Sequence, residues 1–140
     1  MFSLKDKVSI VTGGNGGIGE GIAKGLANSG SKVAIIGRDK DKCEAVKEKI
    51  NSNGGVADYF ICDVINYDSV KDTIEKVNNK FGNVDILVNN SGGPHGGPLI
   101  DADEEEFRIA FERLLICNHI LAKAVVPGMK KIKWGRIINI

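Results

Sequence analysis

The stretch that most constrains the fold is Thr12-Gly13-Gly14-Asn15-Gly16-Gly17-Ile18-Gly19. It follows an apolar run, Val8 to Val11, and opens a segment with apolar residues at Ile18, Ile22, Ala23 and Leu26. A short apolar run, a glycine turn and a helical period make a strand–turn–helix unit, the setting in which such glycines bind dinucleotides. The start of a helix carries unpaired N–H groups and the positive end of the dipole, which attract a diphosphate. Glycines let the backbone turn sharply and approach the phosphates with no side chain between. Gly13, Gly14, Asn15, Gly17, Ile18 and Gly19 are therefore candidate cofactor-binding positions. The alternative is a glycine-rich loop without a ligand, and the flanking strand and helix weigh against it.

The rest of the chain repeats this alternation. Residues 6–12 read as the first strand, and the first helix runs from about Gly16 to Ser29, stopped by Gly30. Lys32 to Gly37 is strand two, followed by a charged helix from about Lys40 to Asn51 with Cys43, Val46 and Ile50 inward. Strand three spans about Val56 to Cys62, and a helix from about Tyr67 to Lys80 follows. Strand four is Asp85 to Val88, then comes a glycine and proline loop, Asn89 to Pro98. Asp101 to about Lys131 reads as one long helix, capped by Asp101 or Asp103, with Glu104 to Glu106 suiting its positive end. Its apolar side would be Phe107, Phe111, Leu114, Leu115, Leu121, Val125 and Met129, and Pro127 would kink or end it. Gly135 to Ile140 starts a fifth strand. Alternating strands and helices predict an α/β fold with a doubly wound parallel sheet, a Rossmann fold of about five strands. Ligands of such sheets sit past the carboxyl ends of the strands, where strand order reverses. The glycine turn, Arg38, Asp63 and the loop after Asn89 all fall there.

Composition excludes several classes. The 140 residues suit one domain, burying about two-thirds of the unfolded surface. A formal net charge of +1 gives no global field for nucleic acid or a membrane surface. No charged-then-apolar leader and no apolar run near membrane-spanning length is expected. Cys43, Cys62 and Cys117 show no metal or Cys-x-x-Cys spacing and read as reduced, buried thiols of a cytoplasmic protein.

Together these residues resemble the short-chain dehydrogenase/reductase family, with 3-oxoacyl-carrier-protein reductases and sugar dehydrogenases as models. The matching motifs are Thr12-Gly13-x-x-x-Gly17-Ile18-Gly19, Asp63-Val64, Asn89-Asn90-Ser91-Gly92 after Asp85-Ile86-Leu87-Val88, Pro127-x-Met129, and Gly135-Arg136-Ile137-Ile138-Asn139-Ile140. Ser91 stands where the family usually has alanine. The resemblance implies a nicotinamide dinucleotide cofactor and hydride transfer to or from a carbonyl or alcohol. It further implies that Asp63 accepts from the adenine amino group, with Val64 beside the ring, and that Asn90 and Gly92 lie near the cofactor ribose. Turn chemistry is the alternative for Asp63 and Asn90, with the companion motifs weighing toward the ligand role of Asp63, and Asn89 is expected to stiffen the strand end. A homo-oligomer is expected.

Cofactor choice turns on the end of strand two. An acid there holds a ribose 2′-hydroxyl, whereas a basic residue accommodates a 2′-phosphate. The family's acidic position falls on Gly37, and Arg38 follows with a planar fork suited to phosphate. NADP is therefore expected over NAD, unless Arg38 is a surface residue paired with Asp39 or Asp41.

Catalytic residues are not assigned. The family's serine, and a tyrosine with a lysine four residues on, lie beyond Ile140 in the family pattern. Tyr67-x-x-x-Lys71 is read as chance, since it lies on the helix after strand three. The helix asparagine of the family falls on Leu114, with Asn118 one turn later as a possible substitute. His95 reads as an exposed loop residue rather than a proton-handling group, and His119 as packing or surface. Two readings stand: the cofactor-binding half of an NADP-dependent oxidoreductase, truncated relative to the family, or a non-catalytic truncated dinucleotide-binding module or interrupted reading-frame product. A flavodoxin-like FMN binder is disfavoured by glycines at 13, 17 and 19. The fifth strand is expected to be an uncovered apolar edge and the long helix to bare an apolar patch. The isolated chain is therefore expected to be unstable, to self-associate or to dock on a complementing chain.

Overall fold

The computed structural model describes residues 3–93 and 96–140. Strands β1 (Val8–Thr12), β2 (Lys32–Gly37), β3 (Val56–Ile61), β4 (Ile86–Asn89) and β5 (Arg136–Asn139) form one sheet in the order β3-β2-β1-β4-β5. Every pairing is parallel, with Thr12 beside Ile36, Val11 beside Val88 and Val88 beside Ile138. Helices α1 (Gly17–Asn28), α2 (Lys40–Ser52), α3 (Tyr67–Phe81), α4 (Glu104–Phe111) and α5 (Cys117–Lys131) connect them. The chain winds outward from β1 to β3, then returns to place β4 on the other side of β1. This is the doubly wound sheet expected, and its reversal of strand order opens a crevice above β1.

The continuous apolar runs follow from burial of both sheet faces. Successive strand side chains point to opposite sides. Ile10, Ile36 and Leu87 pack with Val70, Ile74 and Val77 of α3 and Leu121 and Val125 of α5. Val11, Val33, Ile35 and Val88 pack with Ala23 and Ala27 of α1 and Val46 and Ile50 of α2.

Helix starts are set by short polar side chains. Asp39 accepts from the Lys42 N–H (3.1 Å), Asn66 from Ser69 (2.9 Å) and Asp103 from Glu106 (2.8 Å). Asp103 is thus the cap of α4, while Asp101 closes a 3₁₀ turn, Leu99–Asp101. The expected long helix differs in one further respect. A π-helical turn, Glu112–Ile116, joins α4 to α5, and α5 then continues through Pro127 to Lys131, the expected end. A proline inside a helix costs about 3 kcal/mol. Burial of Leu121, Val125 and Met129, at about 1.5–3 kcal/mol each, outweighs it. Phe107, Phe111, Leu114 and Leu115 do not share that burial, and all four are exposed on α4 and the π turn. β5 is exposed along its length and pairs only with β4.

A polar clamp closes the amino ends of the strands. Asp85 is buried and accepts from the Val8 N–H (2.9 Å) and the Lys7 ammonium (3.1 Å). That ammonium also lies 4.0 Å from the Trp134 ring centre. Beside it the Ser9 and Ser31 hydroxyls are 2.6 Å apart.

Candidate functional site

A cleft of about 410 Å³ opens at the opposite, carboxyl rim of the sheet. Gly13, Asn15, Arg38, Asp63, Val64 and Gly92, all singled out from the sequence, line it. Gly14, Gly17, Ile18, Gly19 and Asn90 do not. Gly14 is buried and its N–H donates to the Ile36 carbonyl (3.3 Å), and Ile18 is exposed.

The turn between β1 and α1 is held by the end of β4. The Asn90 N–H donates to Thr12 Oγ1 (2.9 Å), and its side-chain Nδ2 donates to the carbonyls of Thr12 (3.2 Å) and Gly13 (3.4 Å). These bonds commit the Asn90 amide to bracing the turn. Gly13 has φ +59°, a left-handed conformation, and a Cβ there would collide with the Asn90 carbonyl. A Cβ at Gly19 would collide with the Gly13 carbonyl and the Asn90 amide. The cleft floor is therefore bare backbone at the entry to a helix, which fits a dinucleotide's phosphates.

At the end of β2, Gly37 is buried and Arg38 is exposed. A Cβ on Gly37 would stand 2.8 Å from Asn15 Cγ and 2.8 Å from Cys43 Sγ. Asn15 and Cys43 thus fill the space beside the position where the family carries an acid. Arg38 joins no ion pair among the described residues, and Asp39 pairs instead with Lys42 (3.6 Å) while capping α2. Burial pushes the Cys43 thiol up, the Asp39 charge adds to this, and a hydrogen bond with Asn15 opposes it. Such a thiol is inert.

At the end of β3, Asp63 is exposed, and among the described residues its carboxylate accepts only from the Ile65 N–H, at a long 3.4 Å. Its backbone carbonyl accepts from the Asn66 N–H (3.1 Å), so backbone and side chain divide turn formation from availability to a ligand. Asn89, at the end of β4, donates from Nδ2 to Asn139 Oδ1 of β5 (2.8 Å).

Lys42 and Arg113 also line the cleft and were not singled out from the sequence, and Ser91, noted there only as a departure from the family's alanine, lines it too. Lys42 lies four residues after Arg38, in the first turn of α2, a signal available in the letters. Arg113 falls with Glu112 in a charged break within the otherwise apolar stretch Phe111 to Ile116, which is the only trace it leaves there. Neither Tyr59 nor Tyr67 lines the cleft. The Asn118 amide donates to the Leu114 carbonyl on its own helix (2.8 Å), and His119 is exposed. His95 lies outside the described residues. Among the described residues, no helix is long and apolar enough to cross a membrane.

Residues 7–140 match the short chain dehydrogenase family. The chain is 37% identical over 141 residues to an uncharacterized oxidoreductase of Staphylococcus saprophyticus, covering all of this chain and 60% of that protein. It is 37% identical over 140 residues to the 3-oxoacyl-[acyl-carrier-protein] reductase FabG of Vibrio cholerae, covering 99% of this chain and 56% of that enzyme. A metagenomic short-chain oxidoreductase crystallised in complex with NADP superposes with a TM-score of 0.89 at 36% identity, over 97% of this chain and 62% of the other. The chain thus spans little more than half the length of these relatives. With the glycine turn, the sheet order and the cleft coinciding with a match along almost its whole length, this chain belongs to the short-chain dehydrogenase/reductase family.

Proposed function

We propose that this chain is the NADP-binding part of an oxidoreductase that moves a hydride between the nicotinamide and a carbonyl or alcohol. The observation that carries the choice of NADP is the end of β2: Arg38 faces the cleft without an ion-pair partner among the described residues, beside a Gly37 hemmed in by Asn15 and Cys43. The NADP bound to the metagenomic relative supports the same choice. Gly13, Gly14, Gly17, Ile18 and Gly19 form the turn that receives the phosphates, with Asn15 beside it. Asp63 and Val64 hold the adenine, Arg38 the 2′-phosphate, and Asn90 and Gly92 shape the ribose end. The nicotinamide, when bound, supplies or accepts the hydride. The protein's part here is to bind and orient it.

The test is equilibrium titration with NADPH and NADH. A hydrogen bond to a charged group is worth about 1.5–3 kcal/mol, so Arg38→Ala should weaken NADPH by at least about tenfold. NADH affinity should stay within about twofold, because no 2′-phosphate is present to lose its partner. Equal losses for both nucleotides would refute the assignment.

A non-catalytic dinucleotide-binding module is the second reading. Binding of NADPH without turnover of a generic carbonyl is the expected outcome for the 140-residue chain. The exposed apolar residues of α4 and β5 support self-association, and three free, buried cysteines suit a reducing cytoplasm.

A further inference from the structure

The π turn between α4 and α5 bears on the cleft. The Cys117 N–H donates to the Glu112 carbonyl, five residues back, rather than to Arg113, four back. Arg113's carbonyl is thereby released from the usual helical partner. Two side chains take it: the Ser91 hydroxyl at 2.7 Å and the Cys117 thiol at 2.6 Å. Ser91 belongs to the exit of β4 and lines the cleft, as does Arg113 itself. The hydroxyl that ties the turn down is the one by which Ser91 departs from the family's alanine. Turns of the π type concentrate at functional positions. The Arg113 guanidinium joins no ion pair among the described residues.

We infer that Arg113 is a further dinucleotide-binding residue, contacting the diphosphate, and that Ser91 is the positioning residue that fixes its turn. This rests on the dinucleotide reading above. The sheet order decides which part of the ligand Arg113 serves. Arg38 leaves β2 and Ser91 leaves β4, on opposite sides of β1 and its glycine turn. A ligand whose 2′-phosphate meets Arg38 and whose diphosphate crosses the glycine turn brings that diphosphate toward the β4 side. A guanidinium fork matches paired phosphate oxygens. Unlike Arg38, Arg113 therefore does not discriminate between NADP and NAD.

The test is titration of the whole chain with NADPH, NADH, ADP and adenosine. Arg113→Leu keeps much of the apolar stem and removes the charge. It should weaken NADPH, NADH and ADP alike, by about tenfold, leave adenosine unchanged, and flatten the salt dependence of binding. Arg113→Lys should retain most of the affinity. Ser91→Ala should weaken the three phosphate ligands, and should have no further effect when combined with Arg113→Leu. Thermal melts without nucleotide separate these losses from unfolding. If Arg113→Leu does not fold, Arg113→Lys and Ser91→Ala decide: a Ser91→Ala chain that binds ADP like the wild type overturns the inference. So does an Arg113→Leu chain with unchanged ADP affinity, a loss confined to NADPH, or an equal loss for adenosine. A wild-type chain that binds none of the nucleotides overturns the dinucleotide reading itself. Wild-type binding that is indifferent to Arg113 overturns only this inference.

Discussion

An aspartate at Gly37 would restore the acid that holds a ribose 2′-hydroxyl, and taken alone should favour NADH. The surroundings of Gly37 predict a different outcome. The backbone is not the obstacle, because Gly37 is not among the positive-φ glycines. The obstacle is space. A Cβ there would lie 2.8 Å from Asn15 Cγ, Asn15 Nδ2 and Cys43 Sγ, against about 3.5–4.0 Å for relaxed contact between carbon atoms. Asn15 lies at the cleft and can turn aside, but Cys43 is fully buried in the packing of α2 against the sheet. Overpacking of this kind costs about 1–3 kcal/mol. With a urea slope of about 1–3 kcal/mol per molar, the unfolding midpoint of Gly37→Asp should fall by about 1 M. NADH should bind no more tightly than to the wild type. Adding Cys43→Ala removes the sulfur, and should recover most of the midpoint and bring the NADH gain, about tenfold for one charge-assisted bond. A single Gly37→Asp variant that keeps the wild-type midpoint and gains NADH affinity would refute this reasoning.

Other outcomes follow from the same contacts. Gly19→Ala should lower stability by about 1–3 kcal/mol and weaken both nucleotides, since the new methyl displaces the Gly13 carbonyl and the Asn90 brace; urea denaturation and fluorescence titration check this. Asp85→Ala removes the acceptor of the Val8 N–H and of the Lys7 ammonium, which keeps only the Trp134 face, and should cost about 1–3 kcal/mol, with nucleotide affinity unchanged where the chain is folded. Hydrogen bonds from Lys24, then Lys49, hold the Glu20 carboxyl below its ordinary value, so its contribution to stability is full above the unfolded value, near pH 4.3, and fades as pH falls through the lower folded one. The midpoint difference between wild type and Glu20→Gln should therefore be constant at neutral pH and shrink in acid; a difference that grows on acidification would contradict the sign.

The strands and their order of appearance were legible because each is a nearly unbroken apolar run closed by glycine or a short polar residue. Arg38, Asp63 and the glycine turn were legible for the same reason, lying one residue or a few past a strand. Features decided by contacts across the chain were not. Asp101 and Asp103 are equally good caps by local chemistry, and the 3₁₀ turn ahead of α4 selects Asp103. Pro127 reads as a break until Val125 and Met129 are seen buried on either side of it. The π turn leaves no periodicity to detect, because Ser91 is 22 residues from the carbonyl it captures. The brace from Asn90 Nδ2 to the carbonyls of Thr12 and Gly13 likewise joins residues 78 and 77 apart in the chain.

The Asp85 clamp and the glycine turn sit at opposite ends of β1. Cohesion between neighbouring strands is thus anchored at one rim, while ligand choice is written at the other. Residues such as Arg38 and Lys42 can change without loosening the anchor, so selectivity for one nucleotide over another is free to drift while the scaffold persists. Substitutions at Lys7, Ser9, Ser31 or Asp85 carry the reverse consequence, eroding the scaffold and leaving its preferences intact.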